Sequence, residues 1–162
     1  MAERKLFLPL TQSLEDALTP PTVDSMRKRL GGRVPASADR ELGSLVTVPG
    51  AASRVGVLLS SSDTRCDVFL ERGIVKRTNR SSILPFLGVA TPELSRVAEQ
   101  AAVFARLFEG QSVHVERSDG AGLRGILREK CRFGALVETG NGTLLGVGFQ
   151  RLWPAPQSSD EA

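Results

Sequence analysis

Glycine sets the rhythm of this chain. Residues 43–86 and 110–154 each open on a glycine followed by a V-x-V pair: Gly43, Val46 and Val48 in the first stretch, Gly110, Val113 and Val115 in the second. A second apolar run then begins with a glycine in both, as Gly56, Val57, Leu58 and as Gly125, Ile126, Leu127. A third run matches Val68, Phe69, Leu70, Glu71 with Ala135, Leu136, Val137, Glu138, each with a glycine two places on, Gly73 or Gly140. The exits agree too, as Ile83, Leu84, Pro85 and Leu152, Trp153, Pro154. Short apolar runs bounded by Gly, Pro, Ser and Asn read as strands and turns, and a common order at common spacing reads as an internal repeat of about 45 residues. Asn141 and Gly142 between apolar runs predict a hairpin.

The segments around the two copies have a different period. Val23, Met26 and Leu30 recur at helical spacing after Pro20, Pro21 and Thr22, until Gly31 and Gly32 stop the pattern. Residues 13–18 are a second helical candidate, with Ser13 and Asp16 at N-capping spacing, and residues 33–40 read as a linker. Between the copies, Thr91 can cap a helix whose first position suits Pro92 and whose first turn holds Glu93. Leu94, Val97, Ala101, Phe104, Leu107 and Phe108 line one face of it, and Gly110 is expected to end it. That face is expected to pack between the two β units.

The glycine-led V-x-V strand, turn and glycine-led second strand resemble the start of an SH3-like barrel of the KOW and Tudor type. The residues concerned are Gly43, Val46, Val48, Gly50 and Gly56, and then Gly110, Val113, Val115, Gly120 and Gly125. The resemblance implies five short bent strands per copy, with a turn of 3₁₀ helix before the last, supplied by Ser81, Ser82, Ile83 and by Phe149, Gln150, Arg151. The expected fold is therefore mainly β: two tandem SH3-like small β-barrels, a connecting amphipathic helix and a helical N-terminal extension. The expected divisions are 1–42 for the extension and linker, 43–90 for the first barrel, 91–109 for the helix, 110–155 for the second barrel and 156–162 for a polar tail. Tudor-like relatives hold methylated side chains in aromatic cages, but this chain has no Tyr and one Trp, so the basic-loop binding of KOW-like relatives is the better expectation.

Composition narrows function by what it lacks. Hydrophobic residues at 41% allow a packed core. No apolar run is long enough to span a bilayer and the N-terminus has no signal-peptide character, so a cytoplasmic protein without a membrane partner is expected. The two cysteines, Cys66 and Cys131, are too few for a disulfide framework or a zinc site and read as buried thiols. His114 is the sole histidine and, set between Val113 and Val115, should face solvent. No catalytic constellation, metal site, cofactor or small-molecule substrate is expected. An enzyme using Cys131, flanked by Lys130 and Arg132, is a minor alternative. Trp153 reads more readily as core than as a partner-binding aromatic.

The net charge of +3 permits nucleic acid or an acidic partner without demanding either. Arg72, Lys76, Arg77 and Arg80 form a compact cationic stretch with Thr78 and Asn79 among them, a set of donors suited to phosphate oxygens. Arg128, Lys130 and Arg132 repeat it in the second copy, diluted by Glu129 and Glu138. The leading expectation is a non-enzymatic accessory protein that binds nucleic acid, or a machine working on it, through these basic loops. The alternative is a protein-interaction adaptor that uses the N-terminal helix, with Val23, Met26, Arg27, Lys28 and Leu30 as contacts, or a barrel edge.

Overall fold

The structure is a computed structural model that describes residues 3–5, 11–13, 20–32, 42–49, 54–62, 64–71, 74–117, 122–140 and 142–155. In chain order the elements are β1 (Glu3–Lys5), β2 (Thr11–Ser13), α1 (Pro20–Arg29), β3 (Leu45–Val48), β4 (Arg54–Ser61), β5 (Arg65–Glu71), β6 (Ile74–Asn79), a 3₁₀ turn (Arg80–Ser82), β7 (Leu84–Pro85), α2 (Pro92–Arg106), β8 (Ser112–Glu116), β9 (Gly122–Lys130), β10 (Gly134–Thr139), β11 (Leu144–Gly148), a second 3₁₀ turn (Phe149–Arg151) and β12 (Leu152–Pro154). They form two compact units, Met1–Leu8 with Pro35–Arg106 and Pro9–Val34 with Leu107–Ala162. Of the helix expected at 13–18, Ser13 instead ends β2, paired with Leu145, and 14–18 lie outside the described residues, as do the linker at 33–40, Gly50, Gly73, Gly120, Asn141 and the tail.

The protein is mainly β. Each unit holds one antiparallel six-stranded sheet, in the order β1-β6-β5-β4-β3-β7 and β2-β11-β10-β9-β8-β12. The two orders are the same. Four consecutive strands meander, the strand after the 3₁₀ turn returns to pair with the first of them, and an N-terminal strand adds beside the fourth. Among the described residues no pairing closes either sheet into a barrel.

Register carries the correspondence further than order does. Val46 faces Gly56 and Val113 faces Gly125; Leu58 faces Val68 and Leu127 faces Val137; Val46 faces Pro85 and Val113 faces Pro154. The same number of residues separates Gly56 from Gly125, Val68 from Val137 and Pro85 from Pro154. The second strand of each sheet even bulges at the matching place, leaving Leu59 and Arg128 as the extra residues. This corrects the third-strand match read from sequence. Val68 corresponds to Val137, two places beyond Ala135, because a run of valines and leucines looks alike in either register and only the hydrogen-bonded ladder distinguishes them.

In the first unit both sheet faces are covered. Val46, Val48, Leu58, Cys66, Val68 and Leu70 form the core on one side, so alternation puts the buried cross-strand pair Val57 and Phe69 on the other. There α2 lies against β4 and β5 and buries Leu94, Val97, Ala101 and Phe104. At about 1.5–3 kcal/mol per buried side chain, this packing outweighs the marginal stability of a 15-residue helix alone. Thr91 caps it as expected, accepting the Leu94 N–H at 3.2 Å. Two expectations are corrected: α2 is part of the first unit, and it ends at Arg106, short of Gly110, whose N–H is taken by the Leu127 carbonyl at 2.7 Å.

In the second unit α1 plays the covering part. Met26 and Leu30 share a buried cluster with Cys131 and Leu136, and Val23 packs at its margin. The helix stops where two glycines stand: Gly31 and Gly32 have φ of 90° and 86°, the Gly32 N–H reaches the Arg27 carbonyl and the Gly31 N–H that of Lys28. This is a Schellman ending, and it needs a residue that tolerates the left-handed region. The N-terminal region is thus shared between the units, β1 pairing with β6 and β2 with β11.

Candidate nucleic-acid interface

The cationic stretch of the first copy is strand, which corrects its reading as a loop. Lys76 and Arg77 sit within β6, paired with Val68 and Asp67 of β5, because Ile74, Val75 and Thr78 supply inward positions that keep the strand in the sheet. Arg80 opens the 3₁₀ turn. Its backbone N–H donates to the Thr64 carbonyl at 2.9 Å and its Nη1 to the Ser62 carbonyl at 3.2 Å, fastening the β4–β5 turn to the end of β6. Arg72 lies outside the described residues.

Alternation divides these cations between two faces. The pairs Arg65 with Asn79 and Asp67 with Arg77 place Arg65 and Arg77, both exposed, on one face two rungs apart. Lys76 and Thr78 pair with Val68 and Cys66 on the other face, Lys76 half-buried and Thr78 buried. Asp67 is buried and accepts the Ser60 hydroxyl proton. Arg65 was missed by sequence reasoning, since only the hairpin carries it to Asn79. The Cys66 thiol is pushed up, chiefly by burial and further by Asp67, with Arg80 opposing. A thiol held protonated in this way is a poor nucleophile.

The second copy's cations have other occupations. Arg128 Nε is ion-paired with Glu138 Oε1 at 2.7 Å. Lys130 Nζ donates to the Leu107 carbonyl at 2.8 Å, and its own backbone N–H to Glu109 Oε2 at 2.9 Å. Burial lowers the Lys130 ammonium to about 8 against the raising effect of Glu109. Arg132 is half-buried, its backbone N–H on the Gly32 carbonyl. Cys131 is 0% exposed, inside the α1 core.

The residues expected to make α1 a docking helix face inward. Met26 and Leu30 are 3% and 0% exposed, which takes them off the surface. Arg27 is ion-paired with Glu129 of β9 and with Asp24, and the Glu129 hydrogen bond is the main influence raising its guanidinium. Lys28 is exposed. Among the described residues no helix is long and apolar enough to cross a membrane. Comparison with known protein families finds no match, and comparison with curated proteins finds none either.

Proposed function

We propose that this chain is a non-enzymatic, cytoplasmic accessory protein that binds nucleic acid, or a machine that works on it, through the cationic end of β5 and β6. The observation that carries the reading is the exposure of Arg65 and Arg77 two rungs apart on one face, with Arg80 at the strand end and Lys76 on the reverse. Separated cations on a rigid ladder match the repeating charge of a phosphate backbone, and counterion release would supply most of the affinity. The second unit's Arg128 and Lys130 are a lesser part of the interface, since Arg128 is ion-paired with a carboxylate and the half-buried Lys130 lies on the Leu107 carbonyl.

On this reading each unit is a divergent SH3-like barrel of the KOW type, in tandem. Support comes from the fifth strand returning to the first in both sheets and from the 3₁₀ turn immediately before it. The test is binding of mixed-sequence DNA and RNA over a range of salt. Affinity should fall steeply as salt rises, and undetectable binding at low salt would end the proposal.

A second reading, a protein-interaction adaptor, rests on the edge strand β7 and the segment after it. Leu84, Leu87 and Val89 are 60%, 95% and 98% exposed, a concentration of apolar side chains that marks interaction surfaces. Association that survives high salt and is lost in Leu87→Ser with Val89→Ser would select it.

A further inference from the structure

Trp153, His114 and Arg124 stand in one row across β12, β8 and β9: Trp153 faces His114, and His114 faces Arg124. Direct cross-strand partners project from the same face of a sheet. Here it is the outer face, because Val113 and Val115 on either side of His114, and Leu152 beside Trp153, are buried at 0%, 0% and 1%. Trp153 is therefore not the core residue its sequence setting suggests. His114 and Arg124 are exposed and Trp153 is half-buried. The two rings lie 6.5 Å apart and tilted by 52°. The imidazole also lies over the strand at Gly122, where a Cβ would meet its Cε1 at 2.5 Å, so the glycine leaves room for the ring.

We infer that this row is a stacking platform for unpaired bases of single-stranded nucleic acid, a ligand class that deepens, and rests on, the binding function proposed above. Indole and imidazole offer π-faces that any base can stack on, and the Arg124 guanidinium beside them suits either a base plane or the adjoining phosphate. The nearby Glu116 does not oppose an anionic strand as a lone charge would, since Arg151 Nη1 is paired with it at 3.2 Å. The first unit serves as an internal control. Its corresponding row is Leu84, Thr47 and Val55, with neither aromatic ring nor cation. The platform is thus a property of the second unit, distinct from the phosphate-binding end of β6 in the first.

Trp153 is the only tryptophan and the chain has no tyrosine, so its emission reports on the platform alone. The experiment titrates the full chain with mixed-sequence single-stranded DNA and with the duplex made from it. It reads Trp153 fluorescence together with the anisotropy of a labelled strand. The expected result is quenching by the single strand and none by the duplex. Trp153→Leu, read by anisotropy, should weaken single-strand binding about tenfold; His114→Thr and Arg124→Val, read by both signals, should weaken it in the same direction. Each variant installs the residue the first unit carries at that place, and the wild-type titration stands without them. Equal quenching by duplex overturns the platform, as does anisotropic binding with unchanged Trp153 emission, which leaves the phosphate contacts of β6 intact. No binding by either signal at low salt overturns both proposals.

Discussion

Gly43 and Gly110 hold the same place in the two units, each two residues ahead of the start of its first meander strand. Their φ angles are 91° and 95°, and each donates its N–H to a leucine carbonyl of the second strand, Leu58 at 2.8 Å and Leu127 at 2.7 Å. Their surroundings differ. A Cβ on Gly43 would come within 2.8 Å of the Ala102 backbone nitrogen of α2, whereas one on Gly110 would meet nothing within 4 Å. Gly110→Ala should therefore cost only the strain of a left-handed residue, about 1–2 kcal/mol, and Gly43→Ala should add an overpacking cost of about 1–3 kcal/mol. Denaturant unfolding of the two variants checks the order.

Met26 and Leu30 belong to the core of the second unit, not to a free docking face. Leu30→Ala and Met26→Ala should each lower stability by about 2–5 kcal/mol, whereas Lys28→Ala, at an exposed position, should change it by less than about 0.5 kcal/mol. Chemical denaturation followed by circular dichroism separates these outcomes. Near-neutral values for Met26 and Leu30 would return α1 to the surface.

Lys130 gives stability a pH dependence of known sign. Its ammonium titrates at about 8 in the folded chain, below the ordinary 10.5. Below about 8 it is charged in both states and the cost of burying that charge is fully present. Between the two values the unfolded chain holds a proton that the folded chain has released, so stability should rise with pH across that window. Lys130→Met should lack this component. Melting temperatures of both proteins through the window test it, the difference between them cancelling the contribution of Cys66 and of other groups that titrate there.

Arg77 and Arg128 are both exposed, and Arg128 is ion-paired with Glu138. If Arg77 contacts a phosphate, Arg77→Ala should lower the slope of log affinity against log salt by about one unit. Lys76→Ala, measured separately because it lies on the other face, reports whether the bound strand wraps the end of β6. Arg128→Ala should leave the slope nearly unchanged, since its guanidinium is held by Glu138. Equal slopes for wild type and Arg77→Ala would move the interface elsewhere.

Much of this arrangement is legible in the chain itself, where the determinants are local. Alternating apolar runs specify strands, Thr91 and Pro92 start α2, and Gly31 and Gly32 stop α1, because period, capping and left-handed φ are decided by a residue and its near neighbours. Partnership at a distance is not written that way. The bulges at Leu59 and Arg128 decide the third-strand register, and neither is marked by a turn residue. Which face α1 buries, which arginines meet carboxylates, and the alignment of Trp153 with His114 and Arg124 were decided only by tertiary structure. Each depends on hydrogen-bonded ladders and contacts between segments far apart in sequence, and a side chain's exposure is fixed only once those segments have met.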